Sequence, residues 1–225
     1  MKAIRIPGVY TKGPKIYTIN PDCCKGINVY GEQLRTFQGK EYRNWNPYRS
    51  KLAAVIAKKK EIALPFTESS TILYLGAATG TTVSHLSDIC SKGMIYAVEP
   101  SPIAAKTLLE TIQKRQNIVP IIEDANHPDR YDHFVSQVDI LYMDISQRNQ
   151  AEIFINNAKR YLKKTGFGIL MVKARSIDVA LKPTKAYAMV KEQIDNSHCK
   201  VKQILELLPF EKDHAALFIT PEFRS

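Results

Sequence analysis

The sequence is short of several things, and each shortage narrows the reading. No apolar run in its 225 residues approaches the ~18 residues of a membrane span. The opening stretch, MKAIRIPGVY, lacks the apolar core of a signal peptide. A soluble, cytoplasmic protein with no membrane partner is expected. Cysteine is scarce: Cys23, Cys24, Cys90 and Cys199 show no C-x-x-C spacing, and a vicinal pair does not easily bridge to itself. Neither a zinc site nor a disulfide framework is indicated, so the expectation is reduced thiols and no metal. Acidic residues are scarce only in one region. Residues 1–60 hold thirteen Lys/Arg against three Asp/Glu, whereas residues 61–225 hold nineteen of each. The whole net charge of +10 therefore sits in the first quarter of the chain. A localised basic field of that kind is the footprint of a polyanion, nucleic acid before others, although solvated surface lysines give the same count. Finally, the full G-x-G-x-x-G dinucleotide fingerprint is missing.

What is present is organised around TILYLGAATGTT, Thr71 to Thr82. A β-prone run leads into Gly76, a small-residue loop, Gly80 and the threonines Thr81 and Thr82, after which Val83, Leu86 and Ile89 start a helical pattern. Strand, glycine loop and helix make the shape of a nucleotide-type cradle, with unpaired N–H groups at the helix start. A second strand, Met94 to Val98, ends in Glu99, 23 residues after Gly76. An acid at that spacing is placed to accept hydrogen bonds from ribose hydroxyls. A third strand, Asn117 to Ile122, ends in Glu123-Asp124-Ala125, where Asp124 is suited to an adenine amino group. Together these indicate an adenosine-bearing cofactor.

The length suits one main domain with a small appendage. Up to about residue 44, β-prone segments (Ile4–Ile6, Lys15–Ile19, Gly26–Tyr30, Glu41–Trp45) are cut by Pro/Gly/Asn turns. A small antiparallel module, leaning on the larger domain for its core, is expected at residues 1–47, with the main domain at 48–225. A helix capped by Ser50 or Asn46 then carries the stripe Leu52, Val55, Ile56 and ends in Lys58-Lys59-Lys60. Lys51 sits in its first turn, where the helix dipole disfavours a cation, so it has a better claim to a role than the terminal lysines.

From Thr71 strands and helices alternate: helix 82–90, strand 94–98, helix 103–113, strand 117–122, a helical stretch near 128–135, strand 138–143, helix 148–162, strand 166–172 and helix 183–194. Strands 201–208 and 215–220 come last, joined by a link too short for a right-handed crossover, so they pair antiparallel. The expected architecture is α/β: a Rossmann-like, mostly parallel sheet closed by an antiparallel C-terminal hairpin. Ligands in such sheets lie beyond the carboxyl ends of the strands. The polar residues there are Asp144-Ile145-Ser146-Gln147, Lys173 and the turn Glu211 to His214. Their convergence with Lys51 beside the cradle suggests a reactive site. A nicotinamide-dependent oxidoreductase and a non-catalytic RNA-binding subunit are the alternative classes at this point.

Several blocks resemble the archaeal fibrillarin-like RNA 2′-O-methyltransferases: EYRNWNPYRSKLAA (41–54), ILYLGAATGTTVSHL (72–86), YAVEP (96–100), EDAN (123–126), DILYMDISQRNQAEI (139–153), VKARSIDV (172–179) and PFEKDH (209–214). The resemblance covers essentially the whole chain. It implies a small N-terminal β domain and an S-adenosylmethionine (SAM) dependent domain that methylates ribose 2′-hydroxyls of rRNA and tRNA. It further implies direction by box C/D guide RNA, a coiled-coil scaffold protein, and a kink-turn-binding protein reached through the RNA. The family's catalytic tetrad falls on Lys51, Asp144, Lys173 and His214. Its cofactor positions fall on Gly76, Thr81, Thr82, Glu99, Pro100, Asp124, Ala125 and the run Asp144, Ile145, Ser146, Gln147. The family usually has proline where this chain has Arg148.

Overall fold

The computed structural model describes residues 1–58 and 64–222. Strand alternation builds it from the centre outwards. In Thr71–Leu75 (β6), Ile72 and Tyr74 face one layer while Leu73 and Leu75 face the other. Val138–Met143 (β9) and Leu162–Lys173 (β10) repeat that alternation. Both faces of the sheet are therefore apolar, and both must be covered by helices.

One face receives Lys51–Lys58 (α1), Thr81–Ile89 (α2) and Pro102–Ile112 (α3). The other receives Gln150–Tyr161 (α4) and Pro183–Asp195 (α6), with the single turn Ala174–Ile177 (α5) leading to the latter. Met94–Val98 (β7), Ile118–Ile121 (β8), Cys199–Glu206 (β11) and His214–Pro221 (β12) complete a seven-stranded sheet in the order β11-β12-β10-β9-β6-β7-β8. Its strands are parallel except β12, which runs antiparallel to both β10 and β11. The α/β sheet with its antiparallel closing hairpin is as the strand spacing implied. Among the described residues no helix is long and apolar enough to cross a membrane.

The N-terminal region forms a second, antiparallel sheet from Lys2–Ala3 (β1), Val9–Lys12 (β2), Lys15–Ile19 (β3), Leu34–Phe37 (β4) and Lys40–Trp45 (β5), ordered β1-β2-β3-β5-β4. Two expectations fail here. Ile4–Ile6 and Gly26–Tyr30 are not strands, and β2 and β4 take their places in the sheet. Residues 26–30 are instead held as a loop by the Glu32 carboxylate, which accepts from the N–H groups of Val29 and Tyr30 at 2.8–3.0 Å. The helical stretch near 128–135 shrinks to one 3₁₀ turn, Pro128–Tyr131. Of the expected Lys58-Lys59-Lys60 helix end, Lys58 closes α1, and Lys59 and Lys60 lie outside the described residues.

The two sheets share one core. Ile6, Val9, Ile16 and Trp45 from the N-terminal sheet pack with Leu52, Val83 and Leu86, all at most 1% exposed. Burying each such side chain contributes about 1.5–3 kcal/mol, so the small sheet is stabilised chiefly through its larger neighbour.

A closed set of polar groups crosses the same boundary. The Arg43 guanidinium donates to Glu32, to Asp88 at 2.9 Å and to the Ser84 hydroxyl at 3.0 Å. Arg115 reaches Asp88 and Ser87 from the far side. His85, stacked on Trp45 at 4.8 Å, joins the Thr18 and Tyr30 hydroxyls. With Nδ1–H donating to Thr18 Oγ1, Thr18 O–H is left for Asp88 at 2.6 Å, and the one Tyr30 proton is shared between His85 Nε2 and the Asn44 carbonyl, each 2.9 Å away. With His85 neutral, two cations meet two carboxylates and the buried charge cancels.

Candidate active site

The site begins where β6 ends. Gly76 takes φ +83°, and a Cβ there would lie 2.7 Å from the Asp144 carbonyl and 2.9 Å from Ile145 Cγ1. Only hydrogen fits, and this lets the ends of β6 and β9 close together. The contact is locked by Asp144 N–H donating to the Leu75 carbonyl at 2.9 Å. Gly76 and Ala77 N–H groups both donate to the Val98 carbonyl, which turns the loop over β7. Gly80, at φ +90°, caps α2, and a Cβ on it would strike Leu108 and Thr111 of α3 at 2.9 Å.

The loop presents Thr81 and Thr82 at the N-terminus of α2, where backbone N–H groups favour a polar or anionic ligand. Glu99 follows β7 and is 8% exposed. One carboxylate oxygen accepts from Ala78 N–H at 2.8 Å and the other from Ser101 N–H at 2.9 Å. Each oxygen keeps a lone pair for a ligand hydroxyl. The next residue, Pro100, is exposed.

A cleft of about 320 Å³ lies in front of this loop, and Gly76, Thr81, Thr82, Lys51, Asp144 and Ser146 all line it. Lys51 spans from α1 to the Asp144 carboxylate, at 2.8 and 3.0 Å to its two oxygens. The side chains are only 19% and 16% exposed, so the pair is partly shielded from solvent. This accounts for a lysine in the first turn of a helix: its charge is matched across the cleft by a carboxylate from β9, not by the helix pole. Ser50, one residue earlier, accepts weakly from Ala53 N–H at 3.4 Å and lies 2.9 Å from the Thr82 hydroxyl. That bond joins the N-termini of α1 and α2. Tyr74 also lines the cleft, with its phenol held neutral far above the usual range by burial and then by Asp144.

Asp124 and Ala125 follow β8. Asn126 N–H and its side-chain amide both donate to Asp124, at 2.9 and 2.8 Å, and they hold its carboxyl below the usual range against the opposing effect of burial. The same amide reaches Gln147 at 3.1 Å, which ties the loop after β9 to the loop after β8. Ala125 is 1% exposed as a whole residue, and its carbonyl accepts from the Asn157 side-chain amide at 2.9 Å.

Lys173 and His214 are neighbours of another kind. They face each other across the β10–β12 ladder, and Ala174 N–H donates to the Asp213 carbonyl at 2.9 Å just beyond them. His214 Nδ1 lies 2.7 Å from the Lys212 carbonyl. The Lys173 ammonium makes no hydrogen bond or ion pair among the described residues; Asp144 is paired with Lys51.

The sequence reading missed the residue that ties these halves together. Gln150, the first residue of α4, is 0% exposed. Its side-chain carbonyl accepts from Lys173 N–H at 3.3 Å, and its amide donates to the Gln147 carbonyl at 3.0 Å. The signal was a polar residue on an apolar stripe: Gln150, Ile153, Phe154, Asn157 and Tyr161 share the buried face of α4. Among the described residues no group of three or more His, Cys, Asp or Glu is arranged to hold a metal ion.

The donor set fits an adenosine-bearing sulfonium: a buried carboxylate with spare lone pairs, a second carboxylate one strand on, a glycine turn, and a helix N-terminus beside a carboxylate. Comparison with known proteins agrees. The family model for fibrillarin matches residues 2–222. A fibrillarin-like rRNA/tRNA 2′-O-methyltransferase of Methanocaldococcus jannaschii is 46% identical over 190 residues, 84% of this chain and 82% of the relative. The structure of Aeropyrum pernix fibrillarin with natively bound S-adenosyl-L-methionine superposes with a TM-score of 0.84 at 42% identity, covering 92% of this chain and 89% of that one. Fibrillarin in a complex with Nop5p gives 0.85 at 40% identity, covering 95% and 97%.

Proposed function

Because the chain belongs to the fibrillarin family, we propose that it transfers a methyl group from SAM to ribose 2′-hydroxyls of rRNA and tRNA. In this reading a box C/D guide RNA selects the nucleotide. A coiled-coil scaffold protein of the Nop5p kind seats the chain, and a kink-turn-binding protein is reached through the RNA. The observation that carries the reading is the Lys51–Asp144 pair at the mouth of the glycine cradle, one strand from Lys173 and two from His214.

Bound in the cleft, SAM supplies an electrophilic methyl on a positively charged sulfur. Glu99 accepts from the ribose hydroxyls of the cofactor, with Pro100 beside it, and Asp124 with the neighbouring Ala125 meets the adenine. Gly76 keeps the floor of the cleft open, Thr81 and Thr82 supply the helix N-terminus, and Asp144 to Gln147 border the methionine part. Lys51 holds the Asp144 carboxylate fixed. The Lys173 ammonium has no partner among the described residues, so it is free to donate to the 2′-oxygen and to offset negative charge as the hydroxyl proton leaves to solvent water. His214 stands beside Lys173 and completes the polar corner. Since the sulfonium is reactive already, the residues act mainly by in-line positioning. The basic first sixty residues suit an RNA partner, and binding is expected to weaken steeply with salt.

The test uses radiolabelled SAM and a target RNA, with the chain alone and then with guide RNA and partner proteins. Label on the 2′-oxygen only in the full mixture supports the reading. Label with the chain alone removes the guide-directed part, and SAM binding without label in either removes the activity.

A further inference from the structure

Two aromatic side chains outside the catalytic set sit on the loops that lead into Lys51 and His214, one of them next in sequence to Arg49, which lines the cleft. Tyr48 lies in the turn before α1, three residues from Lys51, a chain reach of about 10 Å. It is 62% exposed, although a phenol ring is ordinarily better buried. Phe210 lies in the β11–β12 link, four residues before His214, and is half-buried. The rings meet edge to face, with centroids 5.2 Å apart and planes at 70°.

Neither loop is slack. Tyr48 N–H donates to the Asn46 side chain at 2.9 Å, Arg49 N–H to the Asn46 carbonyl at 3.0 Å, and Asn46 N–H to the Tyr30 hydroxyl at 3.3 Å. In the other loop, Phe210 N–H and Glu211 N–H both donate to the Leu207 carbonyl, and Lys58 ties α1 to the Leu208 carbonyl at 2.6 Å. Fixed backbone under an exposed ring is a stacking platform paid for in advance. Cations follow close in the chain: Arg49, the residue after Tyr48, lines the cleft with Lys51 and lies 5.9 Å from the Tyr30 ring. A flat π-face with positive charge alongside matches an unstacked nucleobase next to its phosphates, and RNA is read in this way where a nucleotide is splayed out.

We propose that Tyr48, braced by Phe210, stacks on a base of the target RNA at the methylated nucleotide or its immediate neighbour, and so fixes the ribose before Lys173. The proposal rests on the RNA methyltransferase reading above and names how that substrate is gripped. The test assembles the full chain with guide RNA, partner proteins and target RNAs carrying 5-iodouridine at the methylated position or on either side. Irradiation is expected to cross-link one of these RNAs to the peptide containing Tyr48 or Phe210. Tyr48→Leu should abolish that cross-link and raise KM for target RNA about tenfold, with SAM affinity and thermal stability near wild type, and Tyr48→Phe should restore both. Cross-links absent from all three RNAs overturn the inference, whether or not methyl is transferred. Tyr48→Leu with normal KM and cross-linking, but failing to co-elute with the scaffold protein, overturns it too and assigns the rings to a protein contact. A wild-type chain that cross-links at Tyr48 yet never transfers methyl leaves the stacking in place and overturns the methyltransferase reading instead.

Discussion

The chain builds two clusters of charged and polar side chains, and they are made on opposite plans. The first, Arg43, Glu32, Asp88, Arg115 and His85, lies between the two sheets with every member matched and almost none of it exposed. The second, Lys51, Asp144, Lys173 and His214, lies at the strand ends, half-exposed, and one of its cations has no counterpart among the described residues. Buried charge without a full set of partners is costly, so the first cluster is closed because the fold requires it. On the reading proposed above, the second stays open because a closed site has no valence left for a substrate. Saturation marks a structural role, and its lack marks a site.

That contrast predicts that damage to the closed cluster is read in stability and damage to the open one in rate. Arg43→Met leaves Glu32 and Asp88 buried with less counter-charge, and should destabilise the protein by about 3–5 kcal/mol in chemical denaturation. A loss under about 1 kcal/mol would erase the distinction. Lys173→Ala is the mirror case. Methyl transfer should fall by about 10²–10³-fold, while SAM affinity and stability hold within about 0.5 kcal/mol of wild type. Substantial retained turnover removes Lys173 from the reaction.

Gln150→Leu sharpens the boundary, because a fully buried group here serves the open site. It unpairs Lys173 N–H and the Gln147 carbonyl, so about 1–3 kcal/mol of stability should go. With it the turnover rate at saturating RNA should drop about tenfold, with SAM affinity preserved. A stability loss with the rate intact would make Gln150 a packing residue only.

The smallest effect concerns pH. Burial first, then Arg43 and Arg115, hold the His85 imidazole well below its usual range. The folded chain keeps it neutral while the unfolded chain protonates it below about pH 6.5. The unfolded state then binds more protons, so stability falls as pH drops from about 6.5 towards 5, by up to about 1.4 kcal/mol per unit from this group. His85→Gln should flatten the slope by that amount in unfolding titrations. An undiminished slope would show that His85 titrates alike in both states.

How much of this was legible in the sequence depends on how local each signal is. The seven-stranded sheet declared itself because each of its strands has its own apolar run and each turn its own punctuation. Gly76, Glu99 and Asp124 fell at the ends of such runs, and the structure places them where the runs stop. The N-terminal sheet was harder. β4 has one residue in contact with solvent after another and no alternation to detect, while residues 26–30 look β-prone but lose N–H groups to two carboxylates, Gly26 to Glu41 and Val29 and Tyr30 to Glu32. The closed cluster was invisible: Thr18, Arg43, Asp88 and Arg115 come from four segments with no motif to connect them. His85 lies inside a block that carries the family resemblance, yet only the fold shows why a histidine is there. Gln150 was within reach, since a polar residue on an otherwise apolar helical face needs a partner.

The position of β12 has a consequence for the order in which the protein becomes competent. The cradle, Glu99, Asp124 and Asp144 are all encoded before residue 150, and the strands that present them are mutual neighbours. His214, by contrast, arrives on the last described strand, which must enter a slot between two strands that precede it in the chain. On the site assignment proposed above, a chain emerging from the ribosome has made the strands of the donor cradle before it makes the strand that carries His214. The residues proposed for the donor are thus made first, and those proposed for the acceptor are complete only when the last described strand enters the sheet.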